Sequence, residues 1–167
     1  MTSPTASLAE AAPAAETAEA AGPPVTAAPA GMATPTVVVD PSVALAAVTG
    51  DARAAAAWTA WVEADATLIA PGGTWAEMAN ALVHVGGVPV LDAERMLDAL
   101  QRSGLATVDI GATGTRAALR LAARHRLTVY DAAFLSLAIE AGAELATLDR
   151  ALARAATEEG VALALTP

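Results

Sequence analysis

A chain of 167 residues that is 55% hydrophobic carries enough apolar side chain for one domain with a sizeable core. It contains no cysteine, which excludes disulfides and any Cys-ligated zinc or iron–sulfur site and makes a reducing, cytoplasmic compartment the expected setting. The formal net charge of −9 argues against broad non-specific binding to nucleic acid or anionic lipid, yet all nine basic residues are Arg, which suits a local phosphate-binding face.

Residues 1–31, "MTSPTASLAEAAPAAETAEAAGPPVTAAPAG", hold 12 Ala and 5 Pro with no aromatic and no basic residue. So little large apolar surface cannot offset the entropy of ordering, and the segment is expected to be a disordered tail with transient helix in its Ala-rich part. Met32 then precedes the first strand by four residues. Two readings stand: an over-extended gene start with Met32 as the natural first residue, or a genuine flexible tail. A basic n-region and a Leu-rich h-region are both missing, so no secretory signal is expected. The longest apolar runs fall short of the roughly 18–20 residues that span a bilayer, so no membrane partner is expected.

From Thr36 the pattern alternates, and 32–167 reads as one domain. Val37–Asp40 is a continuous apolar run closed by an acid, as a buried parallel strand should be. Helical spacing follows in "SVALAAVTG" and "DARAAAAWTAWVEAD", then a strand at 67–71. Residues 74–85 and 92–102 read as helices separated by "GGVP". A strand is expected at 105–111 and a long helix at 113–126. Tyr130–Ala141 reads as a helix ended by Gly142. The strand "AELATLD", the helix "RALARAATEEG" and the last strand "VALALTP" complete the series. Alternating β and α elements imply an α/β fold with an open parallel sheet covered on both faces. Function in such sheets gathers beyond the carboxyl ends of the strands.

Four carboxylates are placed to meet there. Asp40 closes the first strand and Asp149 the fourth, Asp131 opens a helix, and Glu77 lies early in "GTWAEMANAL". At about 4 Å and an effective dielectric near 20, each like-charged pair repels by roughly 4 kcal/mol. Such a cluster persists by binding protons or a cation. Oxygen-only donors, with no Cys and no well-placed His, favour Mg²⁺ or Mn²⁺ over zinc.

The segments "VVVDPSVALA", "WAEMANAL", "TVYDAAFLSLA" and "ATLDRALARAA" together resemble, in order, the four motifs of PIN-domain proteins, and specifically of VapC-type toxin endoribonucleases. The resemblance spans about 36–165. It implies a three-layer α/β/α sandwich around a central parallel sheet and metal-dependent cleavage of RNA phosphodiesters, with Mg²⁺, or Mn²⁺ in its place. It carries the metal and catalytic acids onto Asp40, Glu77, Asp131 and Asp149, with Ser42, Asn80 and Thr147 as supporting polar residues. Asn80 follows Glu77 by three residues, so a helix puts both on one face. The resemblance further implies products with 3′-hydroxyl and 5′-phosphate ends, a small neutralising antitoxin and a homodimer. Pro41 replaces a small residue of the family pattern; in the first turn of a helix its fixed φ and missing N–H are tolerated. The two Gly of "APGGTWAEM" stand where relatives are bulkier, which loosens the approach to Glu77.

Each acid also has a plainer reading. Asp40 and Asp149 are suitable N-caps, and Asp131 is a first-turn acid favoured by the helix dipole. Arg116, Arg120 and Arg124 recur at i, i+4 and i+8 and form either a solvated helix face or an RNA-backbone contact. His84 and His125 lack a partner at metal-ligand spacing, Trp58 and Trp61 read as core or an oligomer contact, and Met78 reads as core. The leading expectation is thus a ribonuclease toxin. The alternative is a catalytically inactive PIN-fold binding or scaffold module, which a gap among the four acids would favour; there is none. An aspartyl-phosphate phosphotransferase of the haloacid dehalogenase type wants a second Asp two residues after the first. Position 42 is Ser, and no Lys exists.

Overall fold

A computed structural model describes residues 34–167. The expected disordered tail at 1–31 lies outside the described residues. The elements run β1 (Thr36–Val39), α1 (Pro41–Thr49), α2 (Ala52–Glu63), β2 (Thr67–Pro71), α3 (Thr74–Asn80), a π-helical segment (Ala81–Val85), α4 (Val90–Arg102), β3 (Ala106–Val108), α5 (Gly111–His125), α6 (Val129–Ala141), β4 (Glu144–Ala146), α7 (Arg150–Glu158) and β5 (Leu163–Leu165). No helix among the described residues is long and apolar enough to cross a membrane.

The five strands are all parallel, in the order β3-β2-β1-β4-β5. Helices α1, α2, α3 and α4 pack among themselves, and α5, α6 and α7 form a second group in which α6 lies against β1, β2 and β4. Burial explains the composition of both central elements. Val37, Val38 and Val39 are wholly buried, and α6 is buried continuously from Ala132 to Ala138. A helix apolar on every side belongs inside a fold, here between the sheet and its outer helices. After β3 the chain returns to the other side of β1 to form β4. The order therefore reverses between β1 and β4, and the crevice of the fold opens beyond their carboxyl ends.

Several elements differ from their sequence expectations. The helix expected over 74–85 becomes α3 plus a wider turn, in which Gly86 N–H reaches Ala81 C=O five residues back. Val83, Val85 and the Gly86–Gly87 pair are weak helix formers, and the last turn loosens there. The strand expected at 105–111 shortens to 106–108. Asp109 accepts a hydrogen bond from Gly111 N–H at 2.8 Å, which turns the chain and starts α5 at 111 rather than 113. β4 and β5 are also shorter than expected: Thr147 N–H still pairs with Leu165 C=O, but Leu148 N–H turns to Ser42 Oγ, and Val161 N–H closes the end of α7 on Ala156 C=O before β5 begins. Trp58 and Met78 are core, as expected. Trp58 Nε1 donates to Ser103 Oγ at 3.0 Å, which satisfies its one polar atom.

A polar clasp joins the ends of α5 and α7. The His125 side chain is only 6% exposed, with Nε2 2.6 Å from Glu159 Oε1 and Nδ1 3.1 Å from Glu158 Oε2, while Arg124 donates to Glu159 at 2.6 Å. The hydrogen bonds from His125 and Arg124 hold the Glu159 carboxyl below its ordinary range. A depressed carboxyl contributes stability above its unfolded value and loses it as pH falls through the folded one. Glu159→Gln should therefore cost about 1 kcal/mol at neutral pH, a value reduced by solvent screening. The difference from wild type should fade in acid. Melting curves across pH check this, and a constant difference would show that charge is not the cause.

Candidate active site

Asp40 is the first residue past β1 and the N-cap of α1, with Pro41 at the first helical position. It is 7% exposed, a rare setting for a carboxylate. One oxygen, Oδ2, accepts the Ser42 hydroxyl, the Ser42 N–H at 3.3 Å and the Thr147 hydroxyl at 3.1 Å. Both hydroxyls act twice. Ser42 Oγ accepts from Leu148 N–H at 3.0 Å, and Thr147 Oγ1 accepts from Asp149 N–H at 3.0 Å. The two sides of the crevice are thereby locked together through a buried acid.

The other acids approach from separate elements. Glu77 lies in the first turn of α3 and remains exposed to solvent. Asp131 is the third residue of α6. Its N–H donates to Thr128 Oγ1 at 3.0 Å, and its carboxylate accepts the Thr128 hydroxyl at 2.7 Å, a reciprocal cap. Asp149 is exposed and caps α7 by accepting from Leu152 N–H at 2.8 Å. All three Asp thus play the plain capping or first-turn roles open to them.

Capping does not exhaust their electrostatics. Burial pushes the Asp40 carboxyl above its ordinary range; the Ser42 and Thr147 hydrogen bonds pull it back in part, and Asp131 adds a further push. Glu77 is raised as well, first by its partial withdrawal from water and then by the charges of Asp40 and Asp131. Three of the four acids therefore feel one another. None of the four pairs with Arg or His among the described residues. Oxygen donors with unbalanced negative charge match a hard divalent cation. As they stand, however, no three acidic or His side chains among the described residues are close enough together to hold an ion. Asp149 joins the group only through its backbone bond to Thr147.

A family model described as the PIN domain matches residues 37–158, most of the chain and all four acids. The chain belongs to the PIN domain family. PIN domains are in general nucleases. Among solved structures, the chain is similar to PAE2754 from Pyrobaculum aerophilum, at 24% identity and a TM-score of 0.57, covering 75% of this chain and 87% of that one. It is also similar to VapBC2 from Rickettsia felis, solved bound to a DNA fragment from their promoter, at 16% identity and a TM-score of 0.59, covering 77% and 96%. No curated protein matches.

In this PIN domain the expected supporting residues divide. Ser42 and Thr147 hold Asp40 directly, whereas Asn80 is exposed at the end of α3 and makes no side-chain hydrogen bond among the described residues. Arg116, Arg120 and Arg124 are all exposed, and Arg124 is engaged by Glu159. His84 is exposed, while His125 serves the clasp. Other residues at the site escape the sequence analysis. A cleft of about 550 Å³ beside Glu77 and Asp131 is lined by Gly72, Gly73, Thr74, Thr128, Tyr130 and Phe134 among others. Thr128 was readable from its T-x-x-D spacing to Asp131. The cleft walls were not, since they come from β2, α3 and α6.

Proposed function

We propose that this PIN domain protein is a metal-dependent endoribonuclease and the toxin of a type II toxin–antitoxin pair. The observation that carries the reading is that Asp40, Glu77 and Asp131 gather beyond the carboxyl ends of the strands, with none of them paired to an Arg or His among the described residues. Those three acids and Asp149 would hold Mg²⁺ or Mn²⁺. When bound, such an ion acts as a Lewis acid and offsets the charge of the scissile phosphate. Asp40, fixed by Ser42 and Thr147, is the immobile anchor of the group. Glu77, solvent-facing with a raised carboxyl, is suited to orient the attacking water and take its proton. Water then adds to phosphorus, the bond to the 3′ oxygen breaks, and that oxygen takes up a proton from solvent to leave as a 3′-hydroxyl opposite a 5′-phosphate.

The VapBC2 likeness supports an antitoxin as partner, since VapBC2 was solved as an assembly on DNA from its own promoter and not as a lone chain. Exposed Val85, Val90 and Leu91 offer apolar surface for a second copy in a homodimer. One observation favours the inactive scaffold reading: as placed, no three of the acids close on a single point.

The deciding experiment incubates the protein with RNA in Mg²⁺, in Mn²⁺ and in EDTA, and follows melting in parallel. Cleavage should need the ion and leave 5′-phosphate ends. An ion that binds only the folded state should raise the melting temperature, by about 2.7 kcal/mol of stability at 100 times its dissociation constant. Cleavage that survives EDTA would overturn the metal site, and neither cleavage nor a shift with any ion would favour the scaffold.

A further inference from the structure

We propose that Tyr130 is the base-stacking residue of the nuclease site and seats one unpaired nucleobase of the RNA beside the acids, an inference that rests on the ribonuclease reading. Aromatic residues are scarce here: three Trp, one Tyr and one Phe. Trp58 and Phe134 are buried, and Trp61 and Trp75 pack against the core. Tyr130 alone stands largely in water, 79% exposed, and its hydroxyl makes no hydrogen bond among the described residues. A ring left so open at the start of an otherwise buried helix does nothing for the core.

Its position gives it something to do. Tyr130 borders both the cleft of about 550 Å³ that holds Glu77 and Asp131 and an adjoining one of about 360 Å³ that holds Asp109 and Thr115. The two clefts share Pro71, Gly72, Tyr130 and Ala133, so the ring stands where they meet on a wall with few side chains. Gly72 and Gly73 keep the approach open on the Glu77 side, and Gly111 on the other. A Cβ at Gly73 or Gly111 would meet no atom within 4 Å. Tyr130 and Asp131 line the same cleft, so a base against the ring belongs to a nucleotide near the phosphate at the acids. Charge gives an uncharged attraction value here. With 9 basic against 18 acidic residues and a net charge of −9, and with no Arg lining either cleft, electrostatics alone does little to draw an RNA backbone to the acids. Stacking on an aromatic face is independent of charge and tolerant of sequence, because every base has a π-face.

The test is steady-state cleavage of a single-stranded RNA by the full chain, with melting curves as control. Tyr130→Ala should raise KM by about 5- to 150-fold, the range of one lost base–aromatic stack, with kcat and melting little changed. Tyr130→Phe and Tyr130→Trp should restore KM to near wild type, because the ring and not the hydroxyl does the binding. Gly72→Phe, at a position whose Cβ would have only Val108 C=O nearby at 3.8 Å, should raise KM by filling the cleft while Tyr130 stays in place. An unchanged KM in Tyr130→Ala, or a failure of Phe to restore it, would overturn the stacking role and leave the nuclease reading standing. A wild-type protein that neither binds nor cleaves RNA would overturn both.

Discussion

Asp40→Asn is expected to abolish RNA cleavage while leaving the fold as stable as wild type or more so. The amide oxygen can take the place of Oδ2 and keep the bonds from Ser42 and Thr147, so shape and hydrogen bonding survive. What disappears is a buried negative charge that burial and Asp131 both disfavour. Outer-sphere partners of metal sites typically matter by 10–100-fold, so removing Asp40, a direct ligand in the proposed metal site, should cost more than about 100-fold in rate. The pH dependence supplies the sign. A carboxyl raised in the folded state favours folding while it is neutral, and that stability is lost as pH rises from about 3.8, its ordinary value, through the raised one. Wild type should therefore lose stability across that window, and the variant, neutral throughout, should lose less. Asp131→Asn should behave alike in cleavage. Asp149→Asn separates the two readings of that residue, because Asn caps a helix about as well as Asp. Full activity there would return Asp149 to capping alone, and full activity in Asp40→Asn and Asp131→Asn would remove the metal site.

If the proposed toxin role holds, expression of the chain alone should arrest growth, and co-expression of a small neighbouring antitoxin should restore it. The same experiment with Asp40→Asn should show normal growth at equal protein level, which ties the arrest to catalysis and not to misfolding or load. An acidic crevice attracts a basic residue of a partner and disfavours acidic ones, so inhibition should weaken at high salt if the antitoxin works through the site. Colony counts and growth curves with inducible wild type, variant and pair provide the readout. Harmless expression of folded protein that cleaves RNA in vitro would end the toxin role while the nuclease remained.

Much of this molecule was legible in its sequence. Apolar runs at 37–39, 68–70 and 145–146 give buried strands, and Gly142, Thr128 and Asp149 punctuate helices, because these depend on spacing and local backbone chemistry. The four motifs, read together, pointed to the PIN domain family. Spacing could not supply the strand order, because short apolar strands are interchangeable by pattern and only mutual packing puts β1 between β2 and β4. That placement is what brings Thr147 onto Asp40 across 107 residues, and with it the buried, raised carboxyl at the centre of the site. The ends of β3 and β4 were also beyond local reading, since Asp109 and Leu148 leave the strand pattern to make specific hydrogen bonds. The sequence by itself determined which residues carry charge and which must be buried. The tertiary structure alone decided which acids feel one another, that Arg124 and His125 serve a clasp, and that Tyr130 stands open between two clefts, because charge coupling and exposure depend on distances that close only when remote elements pack.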